Sequence, residues 1–212
     1  MGKVVLDIST SLDGFVAGPN PTLEEPLGQG GEQLHEWIFG LASWRESHGK
    51  TGGETNADSE LVAEGLASTG SVVMGRKMFS GGAGPWEDDP NAGSWWGDDP
   101  PFHKPVFVVT HHAREPLEHG ETTFTFVTDG VESAVERALD AAGDKDVLVA
   151  GGAQVAQQIL SAGRLDELQL HVVPILLGGG TRLFEGAPDV RLERVHVLDS
   201  PAVTHLRYRV RR

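Results

Sequence analysis

The chain has 212 residues, of which 39% are hydrophobic and 23% charged, with no cysteine and a formal net charge of −14 at pH 7. This length suits one α/β domain, and the lack of cysteine excludes disulfides, thiolate metal sites and a cysteine nucleophile. The negative charge opposes binding to nucleic acid or an anionic membrane, and no apolar run approaches the roughly 18 residues that cross a bilayer, so we expect a cytoplasmic protein that binds a small molecule.

The first third of the chain predicts a strand and two helices. Val4, Leu6 and Ile8 alternate with other residues at the period of a strand. The next apolar positions have the i, i+3, i+4, i+7 spacing of an amphipathic helix: Leu34, Trp37, Ile38 and Leu41. Asp58 is then expected to cap a second helix, which leads into the buried strand SVVM.

The remainder of the chain alternates strands with helices and closes with antiparallel strands. PVFVV at 105–109 and TFTFV at 123–127 have strand composition, and a helical stripe follows at Val131, Ala134, Val135, Ala138 and Leu139. Residues 147–160, VLVAGGAQVAQQIL, predict a strand, a glycine turn and a helix. A long strand is then interrupted at Pro174, and a hairpin is expected to turn at 199–202.

This order predicts an α/β fold with a mixed, mostly parallel central sheet, helices on both faces and a C-terminal antiparallel hairpin. We expect a single domain over residues 1–212, since neither a repeat nor a linker divides it. Loop insertions are expected at about 19–31, 46–57 and 80–104. The last of these is rich in Gly, Pro, Asp and Trp, which is typical of a functional lid and equally of a surface insertion packed by its own tryptophans.

Two of the predicted strands end in glycine turns. VVMGRKMF places Gly75, Arg76 and Lys77 where a strand ends, and the second turn carries Gly151 and Gly152 where a helix begins. A helix N-terminus after glycine offers backbone N–H groups and the positive end of a dipole to an anion. Either turn alone is more typical of a glycine needed for tight strand-to-helix packing, but the pair favours one extended anionic ligand.

A third strand end carries the segment Thr110, His111, His112 and Arg114. These residues could bind a phosphate, because arginine offers a forked set of donors. A metal site at the two histidines is less favoured, since adjacent residues of a strand point to opposite faces, and solvated loop histidines are the simple alternative. The sequence contains neither a P-loop nor the GxGxxG pattern of a Rossmann fold.

Five segments occur in the order found in the dihydrofolate reductase-like superfamily. They are ISTSLDGFVAG, VVMGRKMF, VFVVT, VLVAGGAQVAQQIL and LDELQLHVVPILLGGGTRLF. The chain most resembles the reductase domain of the riboflavin-biosynthesis deaminase-reductases and their stand-alone relatives. The resemblance covers residues 4 to about 210 and implies a dihydrofolate reductase-like three-layer fold with an NADPH site.

The resemblance also implies which residues hold NADPH. Four match positions that flank the nicotinamide: Ser9, Thr10, Val16 and Ala17. Three match the turn that holds the phosphates, Gly75, Arg76 and Lys77, and four match the loop near the adenosine 2′-phosphate: Thr110, His111, His112 and Arg114. The turn that faces the pyrophosphate matches Ala150, Gly151, Gly152, Ala153, Gln154 and Val155, and LLGGGTRLF resembles a signature that closes the site near the substrate.

Two acidic residues are candidate catalytic groups. Asp58 lies about one residue out of register with an acid that assists proton delivery in dihydrofolate reductases, and a plain helix cap is the alternative. Asp13 could face the substrate or simply form the turn before Gly14. Phe15 stands where the riboflavin-pathway reductases usually have a lysine, which puts their particular substrate in doubt.

These features favour an NADPH-dependent reductase that transfers hydride to a pterin-like or pyrimidine-like heterocycle or to a carbonyl compound. The alternative is a catalytically silent NADP(H)-binding sensor or scaffold protein, which the departure at Phe15 favours. A purely structural protein would bind no dinucleotide at all. The resemblance further implies a homodimer, and we expect no metal ion in the site.

Overall fold

The computed structural model describes residues 2–82 and 84–211. Its strands are β1 (Val4–Ser11), β2 (Phe15–Ala17), β3 (Thr69–Gly75), β4 (Pro105–Val109), β5 (Leu117–His119), β6 (Thr122–Val127), β7 (Asp146–Gly151), β8 (Glu167–Val173), β9 (Thr181–Arg182), β10 (Arg191–Asp199) and β11 (Thr204–Arg211). Its helices are α1 (Glu36–Phe39), α2 (Ala42–Ser47), α3 (Ala57–Ser68), α4 (Arg76–Ser80), α5 (Val131–Ala142) and α6 (Ala153–Ser161), with short 3-10 turns at Gly31–Leu34 and Trp86–Asp88.

One large sheet organises the fold, with the strand order β10-β11-β8-β1-β7-β3-β4-β6-β5. The strands from β8 to β6 in this order are parallel, whereas β11 and β10 at one edge and β5 at the other run antiparallel to their neighbours. The predicted mixed, mostly parallel sheet and the C-terminal hairpin are therefore confirmed. β2 and β9 form a separate two-stranded ladder.

The two faces of the sheet are covered differently. Helices α5 and α6 pack on one face, where their apolar stripes meet Val73, Phe107, Val147 and Val149. The opposite face buries Val72, Met74, Val106 and Val108 beneath Phe79 of α4, with Trp86, Trp96 and Phe102 from the long loop packed around them. The central strands are apolar on both faces because each face is covered, as expected for a parallel sheet.

The prediction of one helix at Leu34 to Leu41 was wrong. The structure has a 3-10 turn, the four-residue helix α1 and then α2, and Leu41 between the helices is extended. Leu34 and Leu41 are still buried, so the apolar spacing correctly identified inward-facing residues. Gly40 is a poor helix former and lies where the continuous helix fails.

The predicted cap of α3 was also wrong. Asn56, two residues before Asp58, is the N-cap, and its side chain accepts a hydrogen bond from the Ser59 backbone N–H at 3.0 Å. Asp58 lies inside the first turn and is buried. Its carboxylate is therefore available for contacts across the fold.

Within the described residues, no helix is long and apolar enough to cross a membrane.

We predict that Ile159 is a stabilising contact between α6 and the sheet, since its side chain is fully buried in this core. Ile159→Ala is expected to lower the free energy of unfolding by about 2–5 kcal/mol, measured by urea denaturation. Gln158→Ala, at an exposed position of the same helix, is the control and should cost less than about 0.5 kcal/mol. Equal losses in the two variants would contradict this packing.

Candidate functional site

The two predicted glycine turns lie against each other. Strands β3 and β7 are parallel neighbours, and Gly75 and Gly151 are their last residues, so the two glycines lie side by side at the carboxyl ends of the strands. A Cβ atom added to Gly75 would lie 3.1 Å from Cγ2 of Val155 and 3.5 Å from the Gly152 nitrogen. Gly151 has a φ of 125°, which side chains rarely adopt, and its peptide bond to Gly152 is cis. The two turns therefore form one backbone surface.

The second turn opens helix α6 without a side-chain cap. Gly152 is the N-cap residue, it is exposed, and it has no side-chain cap hydrogen bond. A Cβ atom added there would meet nothing within 4 Å. The positive end of the helix dipole thus faces open space beside Gln154, whose side chain is exposed, while Ala153 and Val155 pack inward. This arrangement suits an anionic group.

The two predicted arginines come together around one tryptophan. The guanidinium groups of Arg76 and Arg114 both lie over the Trp86 ring, at 3.6 Å and 4.6 Å from its centroid. Arg76 is buried and pairs with Asp89 and Ser80, and Arg114 donates to the Ala92 carbonyl oxygen. The Trp-rich loop, residues 81–101, therefore holds both arginines.

The electrostatics of this cluster favour an anion. Burial and the nearby charge of Arg76 lower the pKa of Arg114, as expected where two cations are held close together. Burial alone would raise the pKa of Asp89, but hydrogen bonds from Ser80 and the Asn91 backbone, together with Arg76, bring it below its ordinary value. Asp89 therefore supplies one negative charge to two guanidinium groups.

The other residues of the third strand end are partly available. Thr110 is buried, and its hydroxyl accepts a hydrogen bond from the His112 backbone N–H at 3.1 Å. The His112 carbonyl oxygen accepts from the Trp86 indole at 2.8 Å. His111 and Lys77 are exposed. Within the described residues, no group of His, Cys, Asp and Glu could hold a metal ion.

The residues expected beside a nicotinamide line the end of β1. Ser9 and Thr10 are buried, and the Ser9 hydroxyl accepts a hydrogen bond from the Trp37 indole at 3.1 Å. Val16 and Ala17 belong to β2, which pairs with β9 of the LLGGGTRLF segment. The first and last of the resembling segments are thereby brought together at the same end of the sheet.

Asp13 connects those two segments. Its carboxylate accepts hydrogen bonds from the Ser11 hydroxyl at 2.6 Å and from the backbone N–H groups of Leu177 at 3.1 Å and Gly178 at 2.8 Å. The bond from Ser11, with those from the backbone, lowers the pKa of Asp13. This geometry favours an ionised residue that forms the turn.

The sequence did not predict a buried row of four polar side chains that contact one another. Asp7, His171, His205 and Asp58 contact one another in that order, and Trp37 packs on both imidazole rings, with centroids 4.7 and 5.0 Å away. The only signal in the sequence is that each histidine falls on the polar side of an alternating strand, LQLHVV and THLRYRV. Their pairing depends on the register of β8 and β11.

The chain is similar to proteins of a known family over nearly its whole length. The family model described as the RibD C-terminal domain matches residues 2–206. The chain belongs to this family. The predicted resemblance to riboflavin-biosynthesis reductases of the dihydrofolate reductase-like superfamily is thereby confirmed.

Individual relatives are distant. Uncharacterized protein YyaP of Bacillus subtilis (strain 168) is 21% identical over 194 residues, which are 86% of this chain and 80% of that protein. A putative riboflavin biosynthesis protein from Shewanella sp. PV-4 covers 100% of both chains with a TM-score of 0.66 and 22% identity. Riboflavin Biosynthesis Reductase Rib7 of Saccharomyces cerevisiae covers 100% of this chain and 89% of its own, with a TM-score of 0.55 and 13% identity. These two structures share the fold of this chain.

We predict that Asp89 stabilises the Trp-rich loop only while it is ionised. Its folded pKa lies below its unfolded value, so this contribution is present above about pH 4 and is lost as the pH falls further. Asp89→Asn is expected to lower the free energy of unfolding at pH 7 by roughly 2 kcal/mol, because the buried Arg76 loses its carboxylate.

Urea denaturation between about pH 7 and pH 3 checks this prediction, since the gap between wild type and Asp89→Asn should narrow as the pH falls. Asp88→Asn is the matched control, because Asp88 is the exposed neighbour in the same loop. A gap that stays constant across this range would refute the role of ionised Asp89.

Proposed function

We propose that this protein is an NADPH-dependent reductase that transfers hydride to a pterin-like or pyrimidine-like heterocycle or to a carbonyl compound. Membership of the RibD C-terminal domain family and the likeness to a structure named as a riboflavin biosynthesis reductase support a reductase. The observation that carries the cofactor proposal is the contact between the two glycine turns, at Gly75 and Gly152, beside the uncapped start of α6.

The backbone surface at these turns fits a dinucleotide. A Cβ atom on Gly75 would be tightly packed against Val155, whereas the space beside Gly152 is open, so a pyrophosphate could approach the N-terminus of α6 closely. In this proposal Gly151, Gly152 and Gln154 bind the pyrophosphate. Exposed Lys77 supplies a cation at the neighbouring turn.

The arginine cluster fits the additional phosphate that distinguishes NADPH from NADH. Arg114 donates to a neutral carbonyl oxygen, and Asp89 supplies one carboxylate for two guanidinium groups. A dianionic phosphate would offer both arginines forked, charge-assisted hydrogen bonds. In the proposed complex, Arg76 and Arg114 bind the 2′-phosphate with help from the exposed His111.

The protein's contribution to the reaction is mainly positional. NADPH supplies the hydride when bound, and few acid or base side chains are needed for that step. Ser9, Thr10, Val16 and Ala17 would orient the nicotinamide against the end of β1. The Trp-rich loop would exclude water, which strengthens the electrostatic interactions within the site.

A catalytically silent NADP(H)-binding protein is the second candidate. The observation that favours it is the environment of Asp13, one of the two candidate acids. Hydrogen bonds from the Ser11 hydroxyl and from backbone N–H groups lower the pKa of Asp13, so it is poorly suited to donate a proton. Both candidates require NADP(H) binding and differ only in turnover.

We predict that Arg114→Gln weakens NADPH binding by about 10- to 100-fold and NADH binding far less, because one charge-assisted contact to the 2′-phosphate is lost. Quenching of tryptophan fluorescence during titration measures both dissociation constants, since Trp86 lies against Arg114. Arg137→Gln, which removes the same charge from the exposed face of α5, is the control. Equal losses for the two cofactors would exclude this role for Arg114.

Turnover separates the two candidates. We expect NADPH to be oxidised, measured by its absorbance, with at least one compound from a panel of pterins, pyrimidines and small carbonyl compounds. Tight NADPH binding without turnover on the whole panel would favour the silent binding protein. No affinity for either cofactor would overturn both candidates.

A further inference from the structure

Four ionisable side chains form a continuous chain of contacts through the fold. Oδ1 of Asp7 lies 2.7 Å from Nε2 of His171, the two Nδ1 atoms of His171 and His205 are 2.5 Å apart, and Nε2 of His205 lies 3.1 Å from Oδ1 of Asp58. The four groups come from β1, β8, β11 and α3 in turn. Each imidazole thus uses both of its nitrogens within the chain.

The chain is buried at its centre and open at one end. His205 is 0% exposed and His171 is 3% exposed, and Trp37 covers both rings. Asp58 is buried at the inner end and also accepts a hydrogen bond from the Ser200 hydroxyl. The Asp7 side chain, by contrast, is 34% exposed. Protons can therefore reach the chain from water at Asp7.

With both imidazoles neutral and both carboxylates ionised, the chain has one proton fewer than it has contacts. Each of the three contacts joins two acceptor atoms and needs one proton between them. Two neutral imidazoles carry one N–H each, so with both carboxylates ionised only two protons serve three contacts. The third contact would then oppose two lone pairs in a buried site, which is costly. A third proton satisfies all three contacts.

The surroundings disfavour an imidazolium fixed at His205. Burial, and then His171, lower the pKa of His205, and the opposing effects of Asp58 and Asp7 do not restore it. His35, the further histidine facing this group, is kept neutral because burial and His171 lower its pKa to about 4. Groups coupled this closely titrate as one unit, so the proton belongs to the chain as a whole.

We propose that Asp7, His171, His205 and Asp58 form a proton-holding unit, which keeps a third proton at neutral pH and supplies it to the substrate during reduction. This second part rests on the proposed function. Ser9, the partner of His171 across β1 and β8, is bonded to Trp37 and would lie beside the nicotinamide. Hydride from NADPH would reduce a carbon of the substrate, and the unit's proton would bond to the adjacent nitrogen or oxygen. The unit would afterwards regain a proton from water.

The test of proton uptake requires no activity. Asp58→Asn provides an amide N–H to His205 in place of the third proton, so all three contacts remain satisfied without that proton. Folded wild type would bind one more proton than the folded variant, whereas the two unfolded chains bind equal numbers above about pH 5, so wild type should lose stability relative to Asp58→Asn as the pH rises. The ratio of their folding constants should change by about tenfold per pH unit from about pH 5 upward, until the unit releases its proton.

Urea denaturation of the full chain measures this ratio, and histidines that titrate in the unfolded chain contribute equally to both proteins. Glu60→Gln, an exposed acid in the same turn of α3, is the control and should show a ratio independent of pH over that range. If Asp58→Asn does not fold, Asp7→Asn offers an amide to His171 at the open end and tests the same count. A ratio that stays constant for the folded variant would overturn the proposal.

The nitrogen resonances of His171 and His205 provide a second readout. We expect both rings to change at one common pH in wild type and to lose that transition in Asp58→Asn; separate, independent midpoints would contradict a shared proton. If wild type reduces a substrate, the pH profile of kcat should follow the same midpoint and lose it in the variant. Proton uptake without turnover in wild type would reject the reductase and leave the proton-holding unit standing.

Discussion

The parallel pairing of β3 with β7 is the constraint on which the candidate site depends. It places two separate glycine turns side by side at the carboxyl ends of these strands, where a Cβ atom on Gly75 would lie only 3.1 Å from Cγ2 of Val155. Helices α5 and α6 support these strands by packing against one face of the sheet. The backbone can therefore present its N–H groups to a ligand at a place where side chains would block approach.

The regions on the two sides of the glycine turns differ in chemistry. At one end, two arginines and a tryptophan form a cationic, aromatic cluster that suits phosphate. At the other end, under Trp37, four ionisable side chains form a buried chain within hydrogen-bond distance of one another. The glycine turns lie between them along the strand order, since β1 and β8 flank β7 on one side and β4 flanks β3 on the other. In the proposed function, this division separates the binding of the phosphate from the supply of the proton.

Periodic segments were predictable from the sequence, whereas short or long-range features were not. β1, α5 and the strand-turn-helix at Gly151 have long apolar patterns, and the structure has all three. The two-residue strand β9 is too short to show a period. The broken helix around Gly40 and the cap at Asn56 depended on local competition that spacing alone does not reveal. His171 and His205 lie 34 residues apart, so their contact required the strand register itself.

The contact between Arg76 and Asp89 has a consequence for how tightly any phosphate ligand can bind. In the proposed complex, the intrinsic affinity applies only to molecules in which the Asp89 carboxylate has released the Arg76 guanidinium. The measured affinity is that intrinsic value multiplied by the fraction of molecules in the released state. A substitution in the Trp-rich loop that does not contact the ligand would therefore change the measured affinity, because it changes the fraction of molecules in which Asp89 has released Arg76.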